Sequence, residues 1–314
     1  MNLIFYFDEN GAGNPYFKYI YNSIFDRFRL EYPEYVIKHQ QPDYVNLGNC
    51  PGCPGGISHL QIINEENNKT ILMSFWDRGM DIFLNGLGWE KYNIVQYIGG
   101  LGINLTSEQI KEKYGINHIK FQYPLGVRDS YEFIDNLREP YDPEKKIRKA
   151  IFIGAIYATR TEFNSFMKNH PLIEIIGNDQ GYHGKSYFEK MNQYRMAISF
   201  NGNGELCLRD LEIMGLNLPL VRAELNTQLY NKLNPDYHYF KTTEPCPDAH
   251  FTYRHMDPKY VADKFIQVVE ENIDNYSKLK EIADSGFNYF DSYSRPDYII
   301  DLFFKLININ ELNS

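Results

Sequence analysis

Short apolar stretches of strand length alternate with amphipathic stretches of helix length, and they do so on both sides of one polar segment, REPYDPEKKIRK at residues 138–149. This alternation constrains the fold more than any single propensity. Strands linked through helices run parallel, and the helices then cover the faces of the sheet. The polar segment holds two prolines and marks the boundary. The sequence therefore predicts an α/β protein of two Rossmann-like domains, residues 1–145 and 146–314, facing an interdomain cleft. A length of 314 residues is enough for two domains.

In the first half, residues 3–7 predict a buried strand, followed by a glycine turn (ENGAGNP) and an amphipathic helix from residue 15 to 28. Further strands are expected at 36–38, 59–63, 70–75, 94–97 and 119–121, with helices at 106–114 and 130–137. In the second half, strands at 150–154, 173–176, 196–200 and 218–221 interleave with helices at 161–168, 187–194 and 206–215. Residues 258–312 predict a helical tail interrupted at Ser294-Arg295-Pro296, with last helices able to cross back to the first domain.

Several function classes are disfavoured. A net charge of −9 argues against a nucleic-acid scaffold, which needs a basic face. It leaves a nucleotide ligand open, because one or two arginines and a helix N-terminus suffice for a diphosphate. Four cysteines are too few for a disulfide framework. Cys50 and Cys53 lie in a Pro- and Gly-rich turn, with no second pair to complete a zinc site. The apolar run at the N-terminus is too short for a signal core, and no apolar stretch is long enough to span a membrane. A cytoplasmic protein is expected, with the sequons at Asn68 and Asn104 unused. The 16% aromatic content reads first as core material. No GxxxxGK[ST] loop and no GxSxG elbow occur, and Gly11 and Gly13 lack the third glycine of a dinucleotide fingerprint.

The chemistry concentrates in residues 196–221, MAISFNGNGELCLRDLEIMGLNLPLV. A strand ends near Phe200. Gly202 and Gly204 then allow a close backbone approach, and a helix is expected to start near Glu205 or Leu206. Its first turn offers unpaired N–H groups to a phosphate. Arg209, one turn in, can fork onto phosphate oxygens and stays charged. Glu212 follows three residues later on nearly the same face, where it can accept from the vicinal hydroxyls of a ribose. An Arg–Glu pair at this spacing is common on helix surfaces. The glycine loop before it, the apolar face of Leu206, Leu208, Leu211 and Met214, and the strand after it set this one apart.

This window resembles the donor-binding segment of GT-B glycosyltransferases, where a Gly-rich loop leads into a helix ending in Glu-Ala, followed by Gly-x-Pro-Val-Val. Glu212-Ile-Met-Gly-Leu-Asn-Leu-Pro-Leu-Val matches that ending, with Asn217 in place of the usual glycine. Gly204 stands where retaining members carry the earlier of two glutamates, and Glu205 is shifted by one. The Arg-x-x-Glu form is more similar to exostosin-like and related bacterial and viral transferases. AIFIGAIYATR, residues 150–160, resembles the strand and loop that open the donor domain, which implies donor contacts at Gly154 and Arg160. IIGNDQGYH, residues 175–183, resembles the loop that contacts the nucleobase.

The resemblance implies a nucleotide-sugar donor in the second domain and a glycan or other hydroxyl acceptor in the first, with no nucleic-acid partner. The absence of any DxD motif implies that no metal or other cofactor holds the donor. A general base is then needed from the first domain. Asp77 and Asp8, each placed just after an apolar strand, lead the candidates, with His39, His59 and Asp81 behind them. His183, His250 and His255 lie in the donor half. Two alternatives remain: an epimerase on the same scaffold, and a module that binds a nucleotide sugar without turnover.

Overall fold

The computed structural model describes residues 1–7, 15–40, 59–74, 93–99, 106–119, 130–156, 159–177, 181–200, 206–225, 229–244 and 256–313. Two compact units divide the chain. Unit one comprises Met1–Arg128, Gln228–Asn231 and Arg295–Ser314, and unit two comprises Asp129–Thr227 and Lys232–Ser294. Both are α/β, as the alternation predicts.

Unit one contains β1 (Asn2–Tyr6), α1 (Pro15–Glu31), β2 (Val36–Gln40), β3 (His59–Asn64), β4 (Thr70–Ser74), β5 (Ile94–Gly99), α2 (Ser107–Tyr114) and β6 (Asn117–Ile119). Its six strands are ordered β2-β1-β3-β4-β5-β6. The β1–β2, β4–β5 and β5–β6 pairs are parallel, but β3 is antiparallel to both β1 and β4. The sheet is therefore mixed. The cause is local: a turn over residues 65–69 joins β3 to β4 with no helix between them, and so short a link forces a hairpin. Asparagines build that turn. Asn64 and Asn67 side chains accept from the backbone N–H groups of Glu66 and Lys69, and Asn68 takes the left-handed φ of 59°. Helix α1 buries Phe17, Ile20, Tyr21, Ile24 and Phe28 at helical spacing, with Phe28 edge-on to Phe5 of β1.

Unit two contains α3 (Ser130–Leu137), β7 (Ile147–Gly154), α4 (Thr159–Met167), β8 (Ile173–Gly177), α5 (Lys185–Met191), β9 (Tyr194–Ile198), α6 (Leu208–Gly215), β10 (Leu220–Arg222), β11 (Phe240–Lys241), α7 (Pro258–Asn272) and α8 (Tyr276–Tyr293). All its pairings are parallel, in the order β11-β10-β9-β7-β8. Counted from β7 as the first strand, this is the 2-1-3-4-5 order of a doubly wound sheet. Central strand β9 is buried along its whole length, because helices cover both faces. The strand order reverses between β7 and β9. Sheets of this kind bind ligands beyond the strand C-termini at such a reversal.

The polar segment 138–149 is tied into unit two. The Tyr141 hydroxyl donates to the Arg195 carbonyl at 2.7 Å, and Lys146 Nζ donates to the Asn192 carbonyl at 2.6 Å. Helix α3 belongs to the same unit. Its Tyr131 hydroxyl donates to the Ser294 carbonyl at 2.6 Å, and its ring stacks on Phe290. The contact division consequently falls at 128/129, ahead of the 145/146 boundary expected from polarity.

The tail returns to unit one as α9 (Pro296–Leu306) and a 3-10 turn, Ile309–Leu312. Pro296 starts α9 where the sequence breaks, its fixed φ suiting the first helical position. Ile299, Leu302 and Phe303 are buried. Gln96 of β5 donates to the Leu306 carbonyl at 2.8 Å and accepts from Asn308 N–H at 2.9 Å, and Asn64 donates to the Leu312 carbonyl at 2.9 Å. Among the described residues, no helix is long and apolar enough to cross a membrane.

Candidate functional site

Three arginines of unit two lie at the C-terminal ends of its central strands. Arg160, on α4, is buried. Its Nη1 donates to the Ala155 carbonyl at 3.1 Å and its Nη2 to the Phe200 carbonyl at 2.9 Å. It thereby ties the chain leaving β7 to the chain leaving β9, across the reversal. Arg222, at the end of β10, is among the largest fully buried side chains. Its Nη1 pairs with Asp210 Oδ2, also buried, and its Nε donates to the Ala223 carbonyl at 2.8 Å.

Arg209 is placed differently. It is the second residue of α6, and its guanidinium lies directly across Gly154 at the end of β7. A Cβ at position 154 would sit 2.0 Å from Arg209 Nη2. A larger residue at 154 would displace the guanidinium from this position. The guanidinium also lies 4.8 Å from the centre of the Phe152 ring. Arg209 Nε donates to the Tyr187 hydroxyl at 3.3 Å. Among the described residues, no carboxylate lies within ion-pair distance of Arg209, and neither Nη has a hydrogen-bond partner.

Glu212, one turn further along α6, is buried at 4% exposure. Tyr187, from α5, donates its hydroxyl to Glu212 Oε2 at 2.8 Å. Burial pushes the Glu212 carboxyl above its ordinary value, while the Tyr187 hydrogen bond and the Arg209 charge pull it back down. Burial also raises the Tyr187 hydroxyl well above its ordinary value, so it stays protonated and remains a donor. Glu212 Oε1 accepts no hydrogen bond from any described residue.

The start of α6 differs from expectation. The helix begins at Leu208, not near residue 205 or 206. Asp210 Oδ2 accepts from the Cys207 N–H at 2.7 Å, so part of the positive helix end is already satisfied from within, and Arg222 balances the added charge. The half-buried Cys207 thiol is pushed up to about 11 by desolvation and donates to the Phe200 carbonyl at 3.2 Å, which disfavours the thiolate.

Of the residues expected to hold a donor, Gly154 and Arg209 touch, and Arg209 and Glu212 join through Tyr187. Arg160 lies at the same strand ends, with donors spent on two carbonyls. Gly202, Gly204 and Glu205 lie outside the described residues, as do Asp8, Asp77, Asp81, His250, His255, Gly11, Gly13 and the Cys50–Cys53 pair. His59 is described only as backbone in β3. His39 lies 3.1 Å through Nε2 from the Phe7 carbonyl, and His183 is exposed. Sequence reasoning missed Tyr187 and the Asp210–Arg222 pair. The second left a signal, since an arginine ending the apolar run LPLVR needs a buried acid; the first left none.

No family model matches the sequence, and no curated protein matches it. Three solved structures show a loose likeness in fold. A glycosyltransferase from Rickettsia africae has a TM-score of 0.49 at 10% identity, over 100% of this chain and 98% of that one. The pneumococcal O-GlcNAc transferase GtfA, crystallised with UDP and GlcNAc, has a TM-score of 0.41 at 11% identity over 71% of this chain. TarM of S. aureus has a TM-score of 0.41 at 10% identity over 83% of this chain. The matches span 46% of the GtfA chain and 65% of TarM.

Proposed function

We propose that this protein is a glycosyltransferase that binds a nucleoside diphosphate sugar at the C-terminal edge of the second unit's sheet and moves the sugar to a hydroxyl acceptor. The observation that carries this reading is Arg209. Its Nε is fixed by Tyr187, its plane rests on Gly154, and both Nη groups lack partners among the described residues. A charged fork of donors held that way, beside the reversal of a doubly wound sheet, suits a diphosphate. The guanidinium cannot lose its proton, so it supplies the charge that stabilises a departing nucleoside diphosphate without a metal. Glu212 Oε1 is the open acceptor for a ribose hydroxyl. Asp77 or Asp8 serves as the base that deprotonates the acceptor.

Binding measurements test the reading first. Arg209→Ala should weaken UDP or GDP binding by about 10- to 150-fold, the loss of a charge-assisted hydrogen bond, and the matching nucleoside much less. Equal weakening of both would remove the diphosphate from Arg209. Turnover should survive EDTA, and an absolute requirement for manganese or magnesium would end the metal-free mechanism. Asp77→Asn or Asp8→Asn should lower kcat by about 10²- to 10⁴-fold with donor binding kept. Near-normal rates in both variants would place the base elsewhere.

A further inference from the structure

Among the described residues, Tyr187 is the one side chain that hydrogen-bonds both Arg209 and Glu212. The two lie on α6, three residues apart, and no direct hydrogen bond joins them. Tyr187 comes from a different helix and inserts a hydroxyl between them: Arg209 Nε–H donates to its oxygen at 3.3 Å, and its own proton goes to Glu212 Oε2 at 2.8 Å. A phenol has one proton to give and lone pairs to accept with, so it can satisfy a donor and an acceptor at once. The direction of both bonds is fixed, because arginine can only donate and the carboxylate only accept.

This geometry sorts the free valences. Among the described residues, Arg209 spends Nε and keeps its two Nη groups, and Glu212 spends one lone pair of Oε2 and keeps Oε1. What remains points to two different functional groups, an anion for the guanidinium and a hydroxyl for the carboxylate. Without the phenol, the guanidinium and the buried carboxylate would be free to turn on one another as an ordinary i, i+3 ion pair, which would use the groups a donor needs.

Resting on the proposed donor site, we infer that Tyr187 is its positioning residue, a wedge whose hydroxyl keeps Arg209 and Glu212 apart and aimed at the diphosphate and the ribose. The charged and titratable groups acting on Glu212 are Tyr187, Arg209 and Asp210. Of these, Tyr187 and Arg209 favour the ionised carboxylate, and Asp210 opposes it. The wedge therefore has a proton signature as well as a binding one.

The experiment compares wild type with Tyr187→Phe, which keeps the ring and loses only the hydroxyl. Carbon-detected NMR follows the Glu212 carboxyl through a pH titration of the ligand-free protein. Its midpoint should move to higher pH in Y187F, and an unmoved midpoint overturns the wedge whatever the protein binds. UDP and GDP are then titrated calorimetrically. Wherever wild type binds, Y187F should bind about tenfold more weakly at pH 7.5, and the deficit should widen toward pH 5.5 as Glu212 takes up its proton. Unchanged affinity and pH profile in Y187F overturn the inference while leaving the donor site standing. A shifted Glu212 midpoint with no nucleotide binding in wild type retains the wedge geometry and overturns the donor-site reading together with the positioning role. Near-UV circular dichroism spectra of the two folded proteins should agree, and a restored affinity in Tyr187→Ser would show that ring geometry is irrelevant and overturn the wedge.

Discussion

At the C-terminal strand ends of the first unit's sheet, His39 and His118 lie within hydrogen-bonding distance of backbone carbonyls, those of Phe7 and Gly99. At the corresponding ends of the second unit's sheet stand three arginines. An imidazole can complete a backbone while remaining neutral. A guanidinium brings a permanent charge into a buried place and must be compensated. Two of the three arginines are: Arg160 by two carbonyls, Arg222 by Asp210 and a carbonyl. Arg209 is not, within the described residues. Similar-looking charge at one sheet edge thus divides into structural and available, and the division follows from the partners alone.

The strongest way to break this comparison is at the buried Asp210–Arg222 pair. Asp210→Ala should cost about 3–5 kcal/mol of stability in urea unfolding, because Arg222 would stay buried without its acid. A loss below about 1 kcal/mol would mean that Arg222 finds another partner, and the division would fail. Arg160→Met comes next. It removes two charge-assisted bonds, and about 2 kcal/mol is expected, with little change in nucleotide affinity. Unchanged stability with weakened UDP or GDP binding would instead make Arg160 the phosphate contact that the sequence resemblance implies. Arg209→Ala should cost less, about 1 kcal/mol, since Arg209 has no ion pair among the described residues and only eases the charge on Glu212 from a distance. A large loss would class Arg209 with the structural pair.

The smallest effect sharpens the chemistry of Glu212. Its folded carboxyl sits above the ordinary value of 4.5 because of burial. A raised carboxyl binds its proton more tightly folded than unfolded. It therefore contributes stability that is fully present below the unfolded value and is lost as pH rises through the folded one. Glu212→Gln should remove that contribution, so wild type should gain stability relative to the variant as pH falls toward and below 4.5. Parallel stability curves for the two proteins across that range would show that Glu212 titrates as an exposed acid.

The alternation that opened the argument was enough to locate almost every strand and helix of both sheets, because period and apolar run length survive any tertiary context. What it could not supply was strand direction in unit one. The hairpin between β3 and β4 depends on a five-residue turn capped by asparagines, too short to hold the helix that a parallel link requires. Two-residue β11 was too short to leave a period. The polar residues 138–149 are fastened to unit two by Tyr141 and Lys146, contacts that polarity alone does not reveal. At the site, spacing along α6 found Arg209 and Glu212. Tyr187 arrives from another helix, 22 residues away, and no pattern within one segment can reveal a partner that only packing delivers.

The return of the tail has a consequence for the order in which the protein forms. Unit two lies almost wholly within one continuous span and depends on contacts that a growing chain makes early. Unit one does not: the bond from Asn64 to the Leu312 carbonyl joins positions 248 apart. Its sheet is made first and finished last, with α1 and β5 left without α9 until residues 296–306 emerge. Long closures of this kind slow the search for the native state and lengthen the time that apolar surface is open to other chains. During synthesis the second unit can be complete while the first is still waiting for α9, so the half that matures late is the one a chaperone would need to guard.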